Sequence, residues 1–292
     1  MTLDTDRRHK VLISSDWGCG KTTLLLDFSN FAPGHLLSID YERGQDLYLA
    51  PSAAQADRNE GLFYVARLKA PSLYELKTVV QRILNPTTPS TALQVDKKPA
   101  DSGLLSSPVK ALCRDIAEGR LQISGIGIDT VTRLCELTVA KVFGELIARK
   151  GEAFAEKMSQ LTWSQTKDDL SELFYQIIQA DLHLIMTAWA KPRFDAETRQ
   201  STRELIADVL KNVNAFVDLS LMLEPNPRNQ PAKGIVLPPQ ARVTKSRVRK
   251  LPAGVLLPEA TWDKIFAAHP QFATEEPEPE VSAGVAVPIA VA

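Results

Sequence analysis

The chain has 292 residues, 44% of them apolar, which implies a globular protein with one large core or two small ones. Lys plus Arg (34) nearly cancel Asp plus Glu (35), so bulk charge does not mark a nucleic-acid or membrane protein, and any basic site must be local. No apolar run approaches the roughly 20 residues of a membrane span, the opening MTLDTDRRHK lacks a signal-peptide core, and Cys19, Cys113 and Cys135 have neither metal-ligand spacing nor even parity, all of which points to a cytoplasmic setting away from membranes. Residues 11–15 read as a short buried strand that meets a glycine-rich turn, and 21–29 as a helix with Leu24, Leu25 and Phe28 on its buried side. Further strands are expected at 35–40 and 62–67, and a helix at 72–84. This alternation predicts an α/β fold, a mainly parallel sheet with helices on both faces. From 85 to 107 the chain becomes rich in Pro, Ser and Thr without period and reads as a mobile surface insertion. Next come a helix at 108–118, a central strand in LQISGIGID ending at Asp129, helices at 131–150 and 164–180, and a buried strand at 182–190. A charged stretch (191–211), a strand at 216–223 and the basic strand ARVTKSRVRK follow. Residues 1–270 are expected to form one domain, and 271–292, acidic and then low-complexity, a disordered tail.

The stretch SSDWGCGKTT carries the clearest chemistry. Ser15, Asp16, Trp17, Gly18, Cys19, Gly20, Lys21, Thr22 and Thr23 match the end of a phosphate-binding loop and the start of its helix. In such a loop successive backbone N–H groups and a helix start surround the β- and γ-phosphates. Gly18 and Gly20 would let the backbone approach them, Lys21 would supply the positive charge, and Thr22 would ligate magnesium. ATP and Mg2+ are the implied ligands. The loop's usual opening glycine is missing; Ser15 stands there, and a serine can turn at that point if its φ stays in the range open to a residue with a Cβ. Magnesium needs a second anchor, an aspartate ending an apolar strand next to the loop strand, and Asp129 fits, with Thr130 beside it to support the water shell. SIDYERGQD places Glu42 at the carboxyl end of another strand, where it can orient and deprotonate an attacking water. Cys19 reads as a small residue that fits the loop, His35 and His183 lack a partner at ligand spacing, and Trp163 and Trp262, each beside a helix start, read as core anchors.

With Ile39-Asp40-Tyr41-Glu42 in place, the chain resembles the RecA-type P-loop ATPases, and more closely the phage-type, AAA-family ATP-binding proteins of the Sak-type single-strand annealing class. The resemblance covers roughly residues 8–266. It implies a three-layer RecA-like core and assigns the catalytic role to Glu42. It also implies an adenine contact for Asp46, with Tyr48 one residue from the ring's usual aromatic partner. Lys245 and Arg247 occupy the place of a basic pair that reaches a neighbouring subunit's triphosphate; a charged edge strand protected against aggregation is an equal reading. Lys191, Arg193, Arg199 and Arg203 fall in the second DNA-contacting loop, although interspersed acids equally suit a solvated helix face. Where the family has an Asn-Gln pair that senses the γ-phosphate, this chain has Thr187-Ala188-Trp189. The implied function is ATP hydrolysis in DNA recombination or annealing, by a homo-oligomer on single-stranded DNA, with a single-strand-binding protein as a further partner. Two other readings stand beside it: a P-loop small-molecule kinase with 191–203 as its lid, and a nucleotide-dependent switch or scaffold with little hydrolysis.

Overall fold

The computed structural model describes residues 8–16, 18–30, 34–47, 63–195, 197–209, 213–247 and 252–268. Trp17, Tyr48 and the tail 271–292 lie outside them. The main sheet contains β1 (Lys10–Ser15), β2 (Gly34–Asp40), β3 (Phe63–Lys69), β6 (Ile123–Asp129), β7 (His183–Asp195), β8 (Gln200–Ala207), β9 (Leu219–Glu224), β10 (Gln240–Ser246) and β11 (Leu256–Leu257); β4 (Gln94–Val95) and β5 (Lys98–Pro99) form a separate small hairpin. The helices are α1 (Lys21–Asp27), α2 (Leu73–Leu84), α3 (Ser107–Ala117), α4 (Val131–Lys150), α5 (Glu152–Lys157), α6 (Ser159–Gln179), α7 (Val213–Phe216) and α8 (Trp262–Ala268). The strand order is β11-β10-β9-β1-β7-β6-β2-β3, parallel from β9 through β3 and antiparallel at the β10–β11 edge. The fold class is thus α/β with a mostly parallel sheet between two helical layers.

This order corrects one expectation. The strand ending in Asp129 is not next to the loop strand, because β7 pairs with β1 on one side and with β6 on the other. Parallel strands all deliver their carboxyl ends to one edge, so Ser15, Asp40, Asp129 and the 187–189 stretch of β7 still arrive there together. Register makes this concrete, with Ser15 opposite Trp189 and Asp40 opposite Asp129.

Alternate strand residues feed two cores. On one face Leu12, Leu37, Ile126 and Met186 meet Val79 of α2, Ile116 of α3, Leu134 of α4 and Leu173 of α6. On the other, Val11, Ile13 and Ile185 meet Leu24 and Leu25 of α1 and Trp262 and Phe266 of α8. Phe28, fully buried there, stabilises the fold by about 1.5–3 kcal/mol relative to an exposed ring. Helix α1 lies close to the sheet because Gly127 has no side chain: a Cβ there would stand 2.9 Å from Leu25 Cδ2. Ser72 and Glu75 close a capping box at the start of α2, which fixes where that helix begins.

Three expectations change. The 85–107 segment is docked rather than loose, burying Leu93, Val95, Ala100 and Leu105. Lys77 ties it down through Asp96 (2.9 Å) while also holding Glu172 of α6 (3.0 Å). The apolar anchors are spaced irregularly around a tight hairpin, which is why no period marks them. The charged 191–211 stretch is neither loop nor helix face: β7 continues to Asp195 and returns as β8 in an antiparallel arm. Trp262 is the core anchor expected, its Nε1 donating to the Leu24 carbonyl at 2.6 Å, but Trp163 is 45% exposed. Among the described residues no helix is long and apolar enough to cross a membrane.

Candidate functional site: a phosphate-binding loop with two acids

The loop 16–20 joins β1 to α1. Gly18 and Gly20 adopt φ of 75° and 80°, the left-handed region that a side chain disfavours, so both positions need glycine. Ser15 keeps a negative φ and escapes that penalty. Its hydroxyl donates to the Asp16 carbonyl at 2.7 Å and accepts from Lys21 Nζ at 3.1 Å. The missing glycine therefore does not strain the turn, and the serine gains a contact with the lysine. Lys21 Nζ also donates to the carbonyls of Ser15 (3.1 Å) and Asp16 (2.9 Å), so its three protons rest on the loop. Burial lowers its pKa, partly offset by the negative charge of Glu42, Asp129 and Asp16.

Thr22, one residue on, donates to Asp129 Oδ2 at 2.8 Å. The buried Asp129 also accepts from Thr187 through Oδ1 at 2.5 Å. Burial raises the Asp129 pKa, opposed by the bonds from Thr187 and Thr22, and the charge of Asp40 raises it further. Asp40 is itself paired with Arg67. A Cβ added to Gly44 would lie 3.5 Å from Thr22 Oγ1 and 4.0 Å from Asp129 Oδ2. This glycine leaves room beside a hydroxyl and a carboxylate, a donor set that suits a hard, oxygen-loving cation such as magnesium.

Glu42 leaves β2 on the same edge. Thr130 Oγ1 donates to its Oε1 at 2.8 Å, and the Trp189 side chain hydrogen-bonds the same carboxylate. Burial raises the Glu42 pKa above the ordinary carboxylate range, countered by the Thr130 bond and reinforced by the charge of Asp129. A carboxylate with a raised pKa is a stronger base once ionised, as deprotonating a water requires.

A family model described as an AAA domain matches residues 7–248. The chain belongs to the AAA domain family. No curated protein matches it. Among solved structures, one described as an ATPase domain is similar at 14% sequence identity and a TM-score of 0.32, over 86% of this chain and 80% of that one.

In this AAA domain, then, Lys21, Thr22, Asp129 and Glu42 converge, while other expected residues lie elsewhere. Asp46 sits in the 3-10 turn Gly44–Leu47, its side chain outside the described set. Lys245 donates to the carbonyls of Asn214 and Val217, the latter at 3.0 Å, and Arg247 to Ala215 O and to Asp218 Oδ1 at 3.1 Å. Within one chain this pair secures α7. In the arm, Lys191 pairs with Asp208, and Arg193 with Glu204 at 3.0 Å. Arg199 and Arg203 stand on exposed parts of the same arm.

Two residues of this AAA domain's site are not legible as such in sequence. There Thr187 and Trp189 stand out only as departures from an Asn-Gln pair. They lie two apart on β7, hence on one face, and each hydrogen-bonds one of the site's acids. The signal is a polar residue inside an apolar strand, but its meaning depends on β7 lying between β1 and β6.

Proposed function

We propose that this AAA-domain protein binds ATP with magnesium and hydrolyses it, and that it does so as a homo-oligomer on single-stranded DNA, in annealing or recombination. The observation that carries the reading is the convergence of Lys21, Thr22, Asp129 and Glu42 on one sheet edge, with Thr22 and Asp129 2.8 Å apart. On binding, the backbone N–H groups of the loop and the start of α1 surround the phosphates. Lys21 exchanges loop oxygens for phosphate oxygens; its depressed pKa reflects the cost of burying that charge, which an anion would relieve. Thr22 and Asp129 would hold magnesium, whose chemistry is to neutralise charge that builds on the phosphates. Glu42, steadied by Thr130 and Trp189, orients a water and takes its proton.

The DNA reading rests on the arm and on the basic strand. Exposed ion pairs such as Arg193–Glu204 are worth about 0–1 kcal/mol, so phosphates can displace the acid partners at little cost. A second reading, a nucleotide-dependent switch, draws support from Lys245 and Arg247, which direct their donors to the chain's own carbonyls. ATPase rates with and without single-stranded DNA, for wild type and Glu42→Gln, separate the two. The leading reading expects DNA stimulation in wild type and a fall of about 10²–10⁴-fold in the variant, the range typical of a lost general base. Hydrolysis indifferent to DNA and to protein concentration would remove the DNA and oligomer parts; tight ATP binding with no turnover would leave the switch.

A further inference from the structure

Gln45 is fully buried in the turn that follows Glu42. Its Oε1 accepts the Ser38 hydroxyl at 3.0 Å, while its Nε2 finds no hydrogen-bond partner. A buried amide N–H left unpaired costs about 1–3 kcal/mol, and such groups are rare enough in folded proteins to call for a reason. Asp129 is a neighbour: the amide interacts with that carboxylate and favours its ionised form, although no well-formed hydrogen bond joins the two. Amide orientation follows from the same pair: a serine hydroxyl can donate or accept, whereas a carboxylate only accepts, so the NH2 end faces Asp129. Apolar packing would be served as well by leucine or methionine at this place. The turn also lies over the cation site, since Gly44, the preceding residue, borders both Thr22 and Asp129.

We propose that Gln45 is a positioning residue for Asp129, its amide N–H completing a hydrogen bond to the carboxylate when a divalent cation is held there. This rests on the magnesium–nucleotide reading above and assigns to it a residue that neither the loop motif nor the strand-end acids contain. Together with Thr187, Gln45 completes a buried cradle that fixes the carboxylate's direction, the kind of outer contact whose loss typically weakens metal binding about 10–100-fold.

The test is the affinity of a fluorescent ATP analogue with and without Mg2+, in wild type and in Gln45→Met, which keeps the side-chain length and removes the donor. Wild type is expected to bind more tightly with Mg2+. The variant should lose about tenfold or more of that gain while its Mg2+-free affinity is unchanged. Its melting temperature without ligand should change little, because the orphaned N–H is gone while the buried Ser38 hydroxyl loses its acceptor. A full Mg2+ gain in Gln45→Met overturns the proposal; so does a joint loss of Mg2+-free affinity and melting temperature, which would mark a packing residue. Wild type with no Mg2+ gain would sink the magnesium–nucleotide reading itself, and this inference with it.

Discussion

Gly127→Ala probes how the sheet sets the distance between the two magnesium candidates. The new Cβ would stand 2.9 Å from Leu25 Cδ2, 3.3 Å from Cγ and 3.5 Å from Cδ1. Leu25 is fully buried, so the whole side chain is crowded and has nowhere to swing. Helix α1 must then move off the sheet by about half an ångström, at a cost of about 1–3 kcal/mol for an overpacked core. Thr22 is on that helix and Asp129 is two residues from Gly127, so the 2.8 Å bond between them stretches toward about 3.3 Å and weakens. For a chain of this size the cost corresponds to a melting temperature lower by roughly 2–12 °C. Mg2+-dependent nucleotide affinity should fall as well. The second-site change Leu25→Ala removes the atoms in conflict, so the double variant should regain much of the lost Mg2+ dependence although Leu25→Ala is destabilising alone. Calorimetry and analogue binding on the four proteins give the answer. If Gly127→Ala binds nucleotide as wild type does, or if the two substitutions simply add, helix-to-sheet contact does not control the site.

Two further outcomes are expected. Burial lowers the His183 pKa to about 3, and its Nδ1 accepts the His9 amide at 3.0 Å, so protonation would set two donors face to face. The imidazole is neutral in the fold while the unfolded chain takes up a proton below about pH 6.5, so this stability is present above pH 6.5 and is lost toward pH 3, by about 2 kcal/mol at pH 5. His183→Asn should flatten the acid side of urea-unfolding stability against pH; parallel curves for the two proteins would show that this histidine does not titrate as argued. Trp189→Phe removes the indole bond to Glu42 and should lower kcat about tenfold with KM for ATP held, the low end of a hydrogen bond to a charged group. In a Glu42→Gln background the same change should do nothing more, and an additive loss would count against action through Glu42.

The phosphate loop was legible because its chemistry is local: two glycines in left-handed backbone, a lysine and a threonine in one run of the chain. Asp129 and Glu42 were legible through one further step, that apolar strands in a parallel sheet end at a common edge. Thr187, Trp189 and Gln45 needed strand order and burial, which no short window carries. The arm was missed for another reason. Both faces of β8 and of the outer half of β7 are solvated, so alternation between apolar and polar residues, the usual mark of a strand, is absent there. The docked 85–107 segment and exposed Trp163 show the converse, that composition alone does not say which residues find a neighbour.

Ser38 and Asp40 on β2, Asp129 on β6 and Thr187 on β7 are all within 1% of complete burial, in strands whose other buried positions are mostly apolar. Burying polar groups costs stability unless every one is paired, and a sheet seeking only stability would fill these positions with hydrocarbon. Most are paired: Asp40 with Arg67, Asp129 with Thr22 and Thr187, Ser38 with Gln45. The polar atoms sit at the carboxyl ends of three different strands, which no local sequence preference would coordinate. Chance polar substitutions would scatter along the strands. The gathering of these four at one edge, under the loop that holds Lys21, suits a sheet that holds ionised groups for a ligand, and it is independent of any match to a motif; the buried His183 at the other end of β7 is paired separately, with the His9 amide.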